Sequence, residues 1–236
     1  MQARVDPLSR RSDPRQHAPA ASLLRRMLRE EDGVSVVEFA MVLPVFLMLG
    51  LYGFDIAFLA SQKMQVSQLT LSVADNASRL GQTENNAVAP TITEDQIEVV
   101  LKGALKQAGQ LDIENNGRII LSSLERDPVT GKQFIHWQRC IGAKPVTSAY
   151  GNDSTKNGLV GALLLGMGTG SNLVEAPNDT AVMFVEIVYD HPSVFPGFMS
   201  GPTELREEAA FVVRDDRDLQ LAVEKGLTGI KKNACV

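Results

Sequence analysis

"REEDGVSVVEFAMVLPVFLMLGLYGFDIAFLA", residues 29–60, decides what kind of protein this chain makes. From Val34 to Ala60 it holds two ionisable side chains, Glu38 and Asp55, one near each end. Between them Phe39 to Phe54 runs sixteen residues without a charge. Taken as Phe39 to Ala60, the span is 22 residues, about 33 Å of α-helix and enough to cross a bilayer. Core helices are rarely this long and apolar on every face. A secretory signal would have a shorter apolar core and a small-residue cleavage site, for which Leu59-Ala60-Ser61 is a poor match. The segment therefore reads as a single transmembrane helix whose first partner is the lipid bilayer. Pro44 removes a backbone donor inside it and marks a helix kink. Gly50 and Gly53 leave a small face on which another helix can pack closely.

Charge sets the orientation. Residues 1–33 contain seven arginines, no lysine and five acids, whereas the chain as a whole carries a net charge of −5. Arg25, Arg26 and Arg29 crowd the N-terminal flank, against Lys63 and then Arg79 on the other side. The excess of arginine holds residues 1–33 in the cytoplasm and exports the remainder. That remainder is acidic, which argues against a general nucleic-acid binder. The expected organisation is a basic cytoplasmic leader over 1–33, a transmembrane helix over 34–60 continuing to about 81, and an exported α+β domain over 82–236.

An acid inside an apolar span is costly and calls for a role. Here the basic leader ends in Gly33, Glu38 follows with Phe39 after it, and the apolar helix carries Leu43-Pro44. This arrangement resembles the processing region of type IV prepilins, and it is most similar to TadE/TadG-like proteins of the tight-adherence (Flp) pilus system. "FIHWQRCIG" (134–142), "AVMFVEIVYDHPSVF" (181–195) and "EEAAFVVRDDRDL" (207–219) are similar to later, more diffuse blocks of that family. The resemblance implies that a membrane-embedded prepilin peptidase cuts after Gly33 on the cytoplasmic face and leaves Val34 as the mature N-terminus. It implies that Glu38, beside Phe39, neutralises the α-amino group of a neighbouring subunit during assembly, since a carboxylate within the membrane becomes tolerable when paired. It also implies pilin and pseudopilin subunits and an inner-membrane secretion platform as partners, in the manner of type II and type IV secretion systems. The protein would be single-pass in a bacterial inner membrane, its C-terminal domain periplasmic, with entry into the pilus as one outcome. Glu38 also has a plainer reading: near a helix start, the helix dipole favours an acid. A TadG-like member would keep the leader as an uncleaved anchor.

The exported part reads as helices followed by strands. Leu69, Val73, Ala77 and Leu80 form one stripe, so the first helix is expected to run from Val34 to about Leu80, with Gly81 as its stop. After the polar linker "TENNAVAP" (83–90), Thr93 and Gln96 make a capping box for a helix over 94–108, with Gly109 ending it. "RIILSSLER" after an Asn115-Asn116-Gly117 turn, and "QFIHWQRC" after the Asp127-to-Lys132 turn, should pair as a hairpin. "TAVMFVEIVY", apolar on both sides apart from Glu186, reads as a central strand, and "REEAAFVVRD" as a further strand. Long N-terminal helix, then helices packed on an antiparallel sheet: the fold class is α+β and pilin-like. The leader, 1–22, has the composition of a disordered segment, and "SLLRRMLREE" of a short helix at the cytoplasmic membrane face.

Chemistry is sparse. His17, His136 and His191 are scattered, and no nucleophile–base pair or zinc motif is legible. The spaced glycines of "NGLVGALLLGMGTGSNLV" (157–174) lack a following Gly-Lys-Ser/Thr and read as an apolar loop at a subunit contact rather than a phosphate cradle. Asp215, Asp216 and Asp218 among arginines read as a solvated turn. No enzyme, cofactor or metal is expected. Cys140 and Cys235 have no ligand-spaced partner and are either two unrelated thiols or one disulfide. On an exported domain the disulfide is expected, closing a loop of about 95 residues and contributing about 4 to 5 kcal/mol in the chain-entropy account. Two other roles fit the same sequence: a fixed, uncleaved inner-membrane scaffold, and a membrane-stalked adhesin or ligand-binding domain.

Overall fold

The structure, a computed structural model, describes residues 32–81, 91–154, 156–194, 203–214, 217–219 and 233–235. The leader, the short helix at 22–31, the linker at 83–90 and Asp215-Asp216 lie outside the described residues. Among them the elements run α1 (Asp32–Ser78), α2 (Glu94–Gln107), α3 (Ile113–Asn116), β1 (Gly117–Arg126), β2 (Gln133–Ile141), β3 (Ala181–His191) and β4 (Thr203–Val212). The chain falls into two bodies whose border, between Tyr52 and Gly53, lies within α1.

The second body is a layered α+β domain. Its sheet is antiparallel, in the order β2-β1-β3-β4. β3 is central, as its two-sided apolar pattern requires, and β1 and β2 form the expected hairpin with one bulge between Ser123 and Leu124. Alternation along the strands sends Ile119, Leu121, Trp137, Met183, Val185, Ile187 and Tyr189 to one face. That face packs on Val66, Leu69, Val73 and Ala77 of α1 and on Ile97, Leu101 and Ala104 of α2. The α1 stripe read from the sequence is thus the buried one, with Leu80 at its margin. Leu124, Ile135, Val182 and Phe184 face the other way, beneath Leu164, Met167 and Ala176 of the long β2–β3 connection.

Local signals place the ends of the elements. The expected capping box of Thr93 and Gln96 is present, with Thr93 N–H donating to Gln96 Oε1 at 3.2 Å, and α2 ends at Gln107 with Ala108 as its cap. In place of the turn expected at Asn115-Asn116-Gly117, Asn115 and Asn116 close a single helical turn, Ile113–Asn116. Asp112 accepts from the Asn115 amide at 3.3 Å and from its side chain at 2.8 Å, capping α3, and Gly117 leaves it already extended. β4 starts at Thr203, three residues before the expected start at Arg206, because Thr203 to Leu205 continue the ladder opposite His191 to Tyr189. Gly158 and Gly168 of the 157–174 loop answer to close backbone approach. At Gly158, φ is +96° and a Cβ would lie 2.2 Å from Gln133 O; at Gly168, φ is +137° and a Cβ would lie 2.6 Å from Asn172 O.

Buried polar groups tie the layers together. Arg139, 3% exposed, donates to Glu94 at the start of α2 through Nε (2.9 Å) and Nη2 (2.5 Å), to Gln138 O (2.7 Å) and to Asp153 (3.1 Å). Glu186, the acid interrupting the β3 pattern, accepts from the Ser148 hydroxyl, from Ala149 N–H at 3.1 Å and from Arg206 at 3.0 Å. Burial pushes its carboxyl above the ordinary range, with those three donors opposing. Burial and the neighbouring Glu208 carboxylate raise the Tyr150 phenol to about 12, and its O–H donates to Glu208 at 2.9 Å. Cys140 and Cys235 form a disulfide, Cα–Cα 5.0 Å. With Cys140 N–H donating to Asn233 O at 2.7 Å and a bridge from Arg139 to Ala234, it holds the C-terminal strand segment against the β2 edge.

Candidate assembly site

The first part of α1 is what sets this chain apart from an ordinary α+β domain. A continuous helix contains Val34, Glu38, Phe39 and Pro44 with no break in its assignment. From Val34 to Phe54 every residue is exposed, although the apolar ones alone include Val36 at 68%, Phe39 at 64% and Phe46 at 68%. The most apolar window of the helix has no buried residue, and it is long and apolar enough to be a candidate membrane span, consistent with a membrane-anchored protein. Such a surface is stable only when lipid or other helices cover it. Gly50 and Gly53 meet nothing within 4 Å of where a Cβ would stand, so the small face is open.

Within this helix Gly33 and Val34 lie in the first turn and Glu38 one turn further on, four residues after Val34 and hence on the same side of the helix. Glu38 is exposed and makes no hydrogen bond or ion pair among the described residues. The structure therefore gathers Gly33, Val34, Glu38 and Phe39 within two turns. Cys140 and Cys235 join each other elsewhere, as a structural tie. No group of three or more His, Cys, Asp or Glu side chains that could hold a metal ion occurs among the described residues.

The character of α1 changes at Asp55, within the second body. Asp55 is 6% exposed and accepts Val194 N–H at 3.0 Å. Three residues later the Phe58 ring meets the His191 ring, centroids 5.3 Å apart, and Gln62 Oε1 meets His191 Nδ1 at 2.5 Å. Lys63 faces Glu207 of β4 at 4.0 Å. In the sequence Asp55 stands out only as the charge closing the apolar run, and His191 has no legible role. The spacing 55, 58, 62 is a helix-face pattern that pointed to a polar seat, yet nothing in the chain names its partner 129 positions on.

Together these features define a class: a candidate single-span protein whose first helix is bare in its N-terminal part and built into an α+β domain in its C-terminal part. Residues 33–75 match the family model for TadE-like proteins. The match begins at Gly33 and covers the bare segment and most of the packed one, consistent with a TadE-like protein of the tight-adherence pilus system. No curated protein and no solved structure matches the chain.

Proposed function

We propose that this protein is a pseudopilin-like component of tight-adherence pilus assembly, acting by packing rather than catalysis. The observation that carries the reading is the fully exposed Val34–Phe54 surface with an unpaired acid, Glu38, one turn from Val34. In this reading a prepilin peptidase removes the leader after Gly33, and Glu38 takes the new α-amino group of a neighbouring pilin or pseudopilin, fixing axial register. The helix then packs through its open Gly50–Gly53 face in the inner membrane, and the periplasmic domain meets the secretion platform or adjoining subunits.

The test is the intact mass and N-terminal sequence of the protein from native membranes, beside a Gly33→Leu variant. Expected is a mature chain starting at Val34, and an uncut precursor for the variant. An intact leader in the unaltered protein refutes processing and leaves the uncleaved scaffold.

A second reading has an observation of its own. Val160 (77%), Leu163 (66%) and Leu165 (64%) are exposed on the β2–β3 connection, which supports a protein-binding patch on a membrane-anchored domain. Serine at all three positions should then abolish partner capture while the mature N-terminus stays unchanged.

A further inference from the structure

We propose that His191 is a pH-sensitive latch between α1 and the end of the β-sheet: the neutral imidazole holds the end of β3 against the helix, and protonation releases it. This goes beyond the reading of the bare helix and rests on a different part of the chain.

The geometry is a two-point clip. His191 is the last residue of β3 and is 2% exposed. Its Nδ1 faces Gln62 Oε1 at 2.5 Å and its ring lies on Phe58. Three residues on, Val194 N–H is held by Asp55. Asp55, Phe58 and Gln62 sit at i, i+3 and i+7, one face of α1 over two turns. The strand end is therefore fixed to the helix at two heights, and one of the fixings runs through a titratable ring.

The hydrogen-bond inventory of that ring specifies its charge. Gln62 Oε1 can only accept, so Nδ1 carries the proton. The other nitrogen, Nε2, is buried and has no partner. A bare lone pair is tolerable there. A second proton is not, because it would place a charged donor in a site that offers no acceptor. Burial accordingly holds the His191 imidazole below its ordinary value, with the Asp55 carboxylate opposing.

The groups round the ring leave that conclusion intact. On α1 the charged group facing the ring is Asp55, Gln62 also bonds the Tyr189 phenol, and Lys63 is turned to Glu207 of β4. Thr203 is the ladder partner of His191 on β4. Tyr189 shares its face of β3, with Asp112 behind the phenol. Asp190 points to the opposite face, where Lys144 holds it.

The sign follows from linkage. A histidine kept neutral in the folded state contributes stability that is fully present above its unfolded pKa. That contribution declines as pH falls from there to the folded pKa. Acidification in the histidine range should thus loosen the end of β3 and its partner in β4 while leaving the centre of the sheet closed.

The test is hydrogen exchange on the full chain in detergent micelles between about pH 7.5 and about pH 5.5, corrected for intrinsic exchange. Opening of 187–194 and of 203–206 should rise by as much as about tenfold per pH unit, the limit for one proton. Exchange at 183–185 should stay level. His191→Phe keeps the ring contact with Phe58 and should flatten the response. Gln62→Glu sets a carboxylate against Nδ1, favours the imidazolium, and should weaken or invert it. A pH-independent wild type, or a His191→Phe variant that keeps the full response, overturns the proposal. Should both variants misfold, histidine nitrogen NMR on the wild type decides. His191 must stay neutral at a pH where a free imidazole is charged, and its protonation must coincide with the opening. Protonation without opening overturns the latch.

Discussion

Removing one partner of the Arg139–Glu94 pair should be among the most damaging single changes in the domain. Both side chains are buried, 4% and 8% exposed, and among the described residues the hydrogen bonds and ion pair of the Glu94 carboxylate come from Arg139. Breaking a buried ion pair typically costs about 3–5 kcal/mol, because the remaining charge is left without a partner or water. For Glu94→Ala the expected cost is at the lower end, about 3 kcal/mol, since Asp153 still faces Arg139 at 3.1 Å. Arg139→Met strands Glu94 instead. The N-terminus of α2 offsets its charge by about 0.3–1 kcal/mol, which leaves a net loss of about 3–4 kcal/mol. Glu94→Leu with Arg139→Met together should return to within about 1 kcal/mol of wild type, because a buried pair exchanged for apolar side chains is often neutral. The half-exposed Asp153 is then free to hydrate. Urea denaturation followed by Trp137, the sole tryptophan and two residues from Arg139, reads all three variants. With a slope of about 1–3 kcal/mol per M, a loss of about 3 kcal/mol lowers the midpoint by about 1–3 M. Single variants costing under about 1 kcal/mol, or a double variant as unstable as the worse single one, would refute the argument.

Two further outcomes follow from the same domain. Replacing Cys140 and Cys235 together by alanine removes a tie across a separation of 95 residues, a loss of up to about 4.7 kcal/mol in the chain-entropy account. Wild-type urea midpoints that are identical with and without reductant would contradict it. Glu186→Gln should flatten the pH dependence of stability. Burial raises the Glu186 carboxyl, so its contribution is fully present below the unfolded pKa and declines as pH rises through the folded one. Between about pH 4 and about pH 8, the wild type should therefore lose stability relative to the variant. A constant difference between the two midpoints would count against that.

What the sequence disclosed was whatever depends on periodicity and punctuation. The stripe Leu69, Val73, Ala77 is buried where the helical period put it, and β3 is central because its residues are apolar on both faces. Thr93 and Gln96 meet at the start of α2. The turn before β1 misled, because Asn-Asn-Gly is shared by turns and by short capped helices, and the deciding residue is Asp112, three positions before the motif. Long-range polar pairing was illegible. Glu186 was visible as an exception in an apolar strand, but its donors lie on a loop and on β4. Glu94 with Arg139, and Gln62 with His191, are joined only by tertiary packing, to which no local pattern points.

The two parts of α1 answer to different energetic demands. From Asp55 onward the helix is stabilised by this chain, through the apolar stripe from Val66 to Ala77 and the polar seat at Asp55, Phe58 and Gln62. From Val34 to Phe54 it buries nothing among the described residues. An isolated helix of that length draws little stability from propensity alone, and packing on the described residues adds none. Lipid can cover its apolar side chains, and at Glu38, near the start of the helix, the helix dipole favours an acid. In the function proposed above, a basic group on another chain, presented at the height of the first turn, pairs with it. On that proposal the bare segment is the assembly surface and the packed one its foundation.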